Sequence, residues 1–222
     1  MINDKKFKTN KIIPLTKKTR VTVKKDLEKY RELAKEFGAA DSKILPAGWV
    51  RFDDRVRLKC RVPRCHLYGS SPNCPPHTPD IDTMKRTMKK FRWAILVKHE
   101  LTELDDFLDQ KKWLKGHEKH QRKIHDIVCA IESIAFNDGY YLSAGFSAGG
   151  CKTALCSGRV CQFLDSGRCR FPHKSRPSME GVGIDAFDLI ARVGWDVYPI
   201  ASKYADIDSI KCAISVGIIF IN

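Results

Sequence analysis

An α+β fold is the architecture this sequence predicts: a sheet packed with helices, with cysteine-rich metal-binding loops at one edge. Three observations predict it. Short β-rich apolar runs at 93–98 and at the C-terminus read as strands. Apolar residues recur at helical spacing in three separate stretches. Seven of the nine cysteines fall into two groups between those elements. Strands, helices and loops in that order suit a sheet covered by helices.

Taken in order, the first 36 residues carry 12 Lys or Arg against 5 Asp or Glu. Residues 1–20 lack strong periodicity and read as a mobile basic lead. Over 24–37 the apolar residues Leu27, Tyr30, Leu33, Ala34 and Phe37 keep helical spacing, and Gly38 is the stop. Residues 1–42 thus form a basic lead and helix ahead of a cysteine-rich domain, 43–222. Residues 48–61 alternate and predict a strand or hairpin; 93–98, WAILVK, predicts a buried strand. Residues 103–137 predict a helix in two pieces that join near Gly116. Leu104, Phe107, Leu108 and Leu114 mark one apolar face; Ile124, Ile127, Val128, Ile131, Ile134 and Ala135 mark the other. Asn137, Asp138 and Gly139 end it. Residues 140–146 predict a strand leading to Cys151, and 151–175 an irregular loop. Residues 177–193 predict a helix with Pro177 in its first turn and a stripe of Ile184, Phe187, Leu189, Ile190 and Val193. The final KCAISVGIIFIN alternates as a strand.

Composition narrows the function classes. The chain has 222 residues, 43% hydrophobic and 30% charged, a globular balance, and its net charge is +14. No run approaches the ~20 apolar residues of a membrane helix, and the first residues lack the apolar stretch of a signal peptide. A cytoplasmic protein is expected. An odd number of cysteines without a secretory signal argues against a disulfide framework, since thiols there are kept reduced. Grouped thiols in a reducing compartment usually hold metal.

Cys151, Cys156, Cys161 and Cys169 supply four thiols within nineteen residues, separated by turn formers such as Ser157-Gly158 and Ser166-Gly167. Four thiolates suit tetrahedral zinc or an iron–sulfur cluster. The spread spacing, without a Cys-x2-Cys pair, favours the cluster, with zinc as the alternative. Cys60, Cys65 and Cys74, the last followed by Pro75-Pro76, supply three more thiols. A fourth ligand could come from His66, His77, Cys129, Cys212, an exogenous molecule or a partner. An iron left open there could bind substrate. The Cys-x3-Cys-x2-Cys run of radical enzymes that cleave S-adenosylmethionine is missing, as are the bacterial ferredoxin run and the phosphate-binding glycine loops.

Other candidates have plainer readings. Arg170, His173, Lys174 and Arg176 beside Cys169 would stabilise an anionic centre, or simply form a solvated basic loop. Glu180 would oppose a helix dipole at the start of the last helix. His117, His120 and His125 sit among lysines and read as a solvated helix face. Cys129 and Cys212 read as small core residues.

The run GYYLSAGFSAGGCKTALC, followed by CRFPHKSRPSMEGVGID, resembles a family described only as predicted metal-binding proteins, a domain of unknown function common in anaerobic bacteria and archaea. The earlier CRVPRCHLYGSSPNCPP is similar to that family's first cysteine group. The resemblance covers roughly residues 45–200 and implies metal or cluster ligands at Cys60, Cys65, Cys74, Cys151, Cys156, Cys161 and Cys169. It implies no reaction. Three functions therefore compete: an iron–sulfur protein, with one or two 4Fe-4S clusters, that passes electrons to or activates a redox protein partner; an enzyme with an open site at the three-cysteine group; and a zinc-stabilised module binding nucleic acid or another polyanion. Low aromatic content and the lack of zinc-finger spacing weigh against the last.

Overall fold

The computed structural model describes residues 18–101, 104, 112–198 and 207–221. In chain order these form α1 (Arg20–Glu36), β1 (Asp41–Pro46), α2 (Asp54–Arg61), α3 (Ile81–Met88), β2 (Trp93–Leu101), α4 (Trp113–Asn137), β3 (Ala144–Phe146), α5 (Cys151–Cys156), α6 (Gln162–Ser166), α7 (Ala186–Arg192) and β4 (Ala213–Ile221). The four strands make one antiparallel sheet ordered β1-β2-β4-β3, so the fold is α+β as predicted.

Both faces of the sheet are covered, which is why its central strands are almost continuously apolar rather than alternating. Ala94 and Leu96 of β2, with Val216, Ile218 and Phe220 of β4, face a layer built from Met84 and Met88 of α3, Met179, Val182, Ile184, and Leu189 and Ile190 of α7. Ile95, Val97, Ile219 and Ile221 face the other way, against Leu27, Tyr30 and Ala34 of α1 and Ile124, Ile127, Val128 and Ile131 of α4. The helix that follows the basic lead therefore shares the core of the sheet. Its Tyr30 is fully buried and donates to Asp138 at the end of α4, 2.8 Å.

Two glycines set how closely α4 lies on the sheet. A Cβ at Gly217 of β4 would stand 2.5 Å from Val128 Cγ2, and one at Gly145 of β3 would stand 2.7 Å from Val128 Cγ1. Side chains there would lift the helix off the strands.

Several elements differ from expectation. Residues 48–61 form no strand: a 3₁₀ turn, Ala47–Trp49, precedes α2, whose N-cap Asp53 accepts from Arg55 N–H. The alternating arginines were compatible with one exposed helical face, and α2 buries none of its residues. Helix α4 runs unbroken through Gly116; the expected first piece, with Phe107 and Leu108, lies outside the described residues, as do residues 1–17 of the lead. The strand at 140–146 is only Ala144–Phe146. The loop at 151–175 contains the short helices α5 and α6. Over 177–193 only Ala186–Arg192 is α-helical, because Gly183 at φ +85° breaks the path and Asp185 caps a fresh start. Phe187, placed on the expected apolar stripe, is 62% exposed.

Candidate metal centre

The first cysteine group is wound by backbone hydrogen bonds. Cys60 lies in the last turn of α2, and its carbonyl accepts from Cys65 N–H at 3.1 Å. The Cys65 carbonyl then accepts from Tyr68 N–H, and Gly69 N–H reaches Pro75 O at 2.7 Å. Leu67 N–H points at Cys65 Sγ, 3.4 Å. Cys74, at the inner end of the loop, is buried. This loop docks on the segment between α6 and α7 through Thr78 Oγ1, which donates to Gly181 O at 2.7 Å.

The second group begins where edge strand β3 hands the chain to α5. Cys151 opens that helix and is buried; Cys156 closes it; Cys161 caps α6. Phe171 N–H donates to Cys169 Sγ at 3.4 Å. All four thiols line one narrow cavity of about 20 Å³, together with Ser71, Phe163, Arg170 and Phe171. That is room for about one water.

The two groups adjoin. Asn73 donates to Cys151 Sγ at 3.4 Å and to Ser175 Oγ at 2.6 Å. Cys74 lies close enough to Cys151 and Cys65 to feel their charge, Cys60 feels Cys65, and Cys156 feels Cys151 and Cys169. A Cβ on Gly150 would sit 3.6 Å from Cys74 Sγ and collide with Leu67, so a glycine is needed where the two loops cross. Burial pushes the Cys74 thiol up to about 11 and raises those of Cys60 and Cys156. Protonated thiols must give up protons to ligate a metal.

The donor set fits a thiolate-bound metal group in three respects. Its side chains are thiols, backbone and amide N–H groups already aim at sulfur, and Ser71 Oγ is fully buried with no hydrogen bond of good geometry. That hydroxyl lies near Cys74 and favours its thiolate form. Among the described residues, however, no three His, Cys, Asp or Glu side chains form a group that could hold a metal ion.

Residues 43–216 match the family model of domain of unknown function 2284, described as a predicted metal-binding protein. The chain belongs to that family. No curated protein and no solved structure matches it. Among the described residues no helix is long and apolar enough to cross a membrane.

In this predicted metal-binding protein the residues around the thiols divide by role. Of the four basic residues expected beside Cys169, only Arg170 lines the four-thiol cavity, donating to Val160 O at 2.7 Å. Lys174 pairs with Asp126 at 3.1 Å and Arg176 with Glu132 at 2.5 Å, so these two fasten the loop to α4. Cys129 is buried as expected and donates to Lys174 O, 3.1 Å. Cys212 is only half-buried, beside Glu100, which helps raise its pKa.

Two of the three histidines overturn their solvated reading, and His117 is half-buried. His120 and His125 are buried, at 7% and 0% exposure. His125 Nδ1 lies 2.8 Å from Gln121 O and 2.9 Å from Ser147 Oγ, which joins α4 to the strand leading into Cys151. The lysines beside it in sequence point elsewhere because α4 turns one stripe into the core. Glu180 also departs from expectation: it lies in the 3₁₀ turn Glu180–Val182, six residues before α7 begins. Its carboxyl is desolvated and pushed upward, with hydrogen bonds from Ser178 and its own N–H.

Proposed function

We propose that Cys151, Cys156, Cys161 and Cys169 hold one iron–sulfur cluster and that Cys60, Cys65 and Cys74 contribute to a second. The protein then serves electron transfer or the reductive activation of a partner, in a reducing, cytoplasmic compartment. The observation that carries this reading is the ring of four thiols around one cavity, with N–H donors aimed at Cys151 and Cys169. Four thiols converging on one void are the donor set that a thiolate-held group requires. A cluster would need the ring wider than it stands, and Cys161 and Cys169 border or lie on the largely exposed stretch 158–170, where little packing opposes that. A bound cluster supplies one-electron chemistry. The chain's part is to provide thiolates, to donate N–H bonds to sulfur and to place Arg170 nearby, all of which tune potential.

Exposed apolar residues next to the thiols support a protein partner. Leu58 and Val62 flank Cys60, and Val160, Phe163 and Leu164 flank Cys161. Arg61, Arg64, Arg159 and Arg168 surround them, all exposed, which favours an acidic surface on that partner.

A second reading has its own observation. The Cys60, Cys65 and Cys74 group adjoins Cys151, a thiol already belonging to the four-thiol cavity, and so lacks a fourth cysteine of its own. A metal held by three thiols would keep an open position for substrate. One experiment separates the readings: anaerobic purification, metal and sulfide analysis, and absorption spectra before and after dithionite. About eight irons and eight sulfides per chain, with absorbance near about 400 nm that bleaches, are expected for two clusters. About four irons favour the open site, and zinc without sulfide overturns the redox reading in favour of the structural module.

A further inference from the structure

The tip of the first cysteine loop closes one side of the four-thiol cavity. Ser71 and Pro72 stand on its wall beside Cys151, Cys156, Cys161 and Cys169, and the next residue, Asn73, reaches Cys151 Sγ at 3.4 Å. Backbone bonds hold this tip in place. Gly69 N–H donates to Pro75 O at 2.7 Å, and Cys74 N–H donates to Ser71 O at 3.2 Å. The ring of Pro72 stiffens the chain further by fixing its own φ.

Three polar side chains sit on this tip, and two are already committed. Ser70 Oγ donates to Leu67 O at 2.6 Å, and the Asn73 amide donates to Ser175 Oγ at 2.6 Å as well as to Cys151. Ser71 is different. It is 0% exposed, and its Oγ has no hydrogen-bond partner among the described residues. It lies near the Cys74 thiol without forming a bond of good geometry. A buried hydroxyl left unpaired is destabilising, and an alanine of nearly the same size would avoid that cost. The thiols that share its cavity are weak acceptors while protonated. A thiol that gives up its proton to ligate a metal becomes a strong one, and a serine hydroxyl on the wall is then a donor in the right place.

We propose that Ser71 Oγ donates a hydrogen bond to a thiolate sulfur of the centre held by Cys151, Cys156, Cys161 and Cys169, so that one cysteine loop tunes the metal group of the other. This rests on the reading that those four thiols hold a metal group, and it does not require the group to be a cluster. Ser71 is a positioning residue and not a ligand. Taking its hydroxyl away returns electron density to sulfur, which lowers the reduction potential of a cluster and moves sulfur-to-metal charge transfer to lower energy.

The test compares wild type with Ser71→Ala, as full chains purified anaerobically and assayed for metal and sulfide. With iron and sulfide present, the midpoint potential in a mediated redox titration is expected to fall in the variant. With zinc present, cobalt(II) is exchanged in; the sulfur-to-cobalt band should then move to longer wavelength and cobalt affinity should weaken by at least about tenfold. Ser71→Thr keeps the hydroxyl and Ser71→Val has the same shape without it. The threonine variant should match wild type and the valine variant should match alanine, which keeps the test decisive if Ser71→Ala fails to fold. In a Cys161→Ser background, where the four-thiol centre is broken, Ser71→Ala should have no effect. A shift that persists there assigns the hydroxyl to Cys74 and overturns the proposal. So does an unchanged potential, band and affinity in every Ser71 variant, or a wild type that takes up none of iron, zinc and cobalt. Zinc in place of iron overturns the cluster reading and leaves this inference to the cobalt arm, so the two failures stay distinct.

Discussion

His99 on β2 meets His120 on α4 with Nε2 and Nδ1 3.2 Å apart, and burial holds His99 down to about 4. His125, buried between Gln121 O and Ser147, is lowered for the same reason. A folded-state value below the unfolded value of about 6.5 means that the unfolded chain takes up the proton more readily. The contribution of His99 to stability is thus full above about pH 6.5 and is lost as pH falls toward about 4, and that of His125 is lost in the same direction. Urea midpoints measured across that range should fall, and His99→Gln should flatten the decline; an unchanged slope would remove His99 from the account. None of this was visible in the chain, where Lys119 and Lys123 made the neighbourhood look solvated. Burial of His125 depends on Ser147 and Arg176, residues 22 and 51 positions away.

Among the elements, α4 does most to organise the fold: it lies across β3 and β4 on Gly145 and Gly217 and ties down the second cysteine loop through Arg176 and Lys174. Gly217→Ala would place a methyl 2.5 Å from Val128 Cγ2 and is expected to destabilise by about 1–3 kcal/mol. Combining it with Val128→Ala should recover part of that loss, because the collision partner is removed. Strict additivity in chemical denaturation would show that the clash is not the cause. Elements with strong periodicity or long apolar runs were legible: α1, β2, the body of α4 and β4. The segments at 48–61 and 177–193 were not, since a short exposed helix can alternate like a strand and a glycine at positive φ interrupts an otherwise helical stripe.

Across the molecule, thiol groups far apart in sequence become neighbours through Asn73, which bridges 78 residues to Cys151. If that contact aligns both loops, Asn73→Ala should lower metal loading at both groups, whereas Cys161→Ser should affect the four-cysteine group alone. Metal per chain after anaerobic reconstitution measures this, and wild-type loading in the Asn73 variant would show that the loops fold independently. The seven candidate ligands were legible from type and spacing, because ligand loops need thiols separated by turn-forming residues. Ser71, Asn73 and Ser147 were not, since nothing in their local sequence distinguishes them from ordinary loop residues.

The sequence by itself determined the α+β class, the main apolar strands and helices, the two thiol groups and membership of a predicted metal-binding family, all of which rest on local pattern. Tertiary structure alone decided that Cys74 lies against Gly150 and within reach of Cys151's charge and that two histidines are core residues. The reason is physical. Periodicity and spacing act over a few residues, whereas these contacts arise only when the sheet is closed on both faces and α4 settles onto its two glycines.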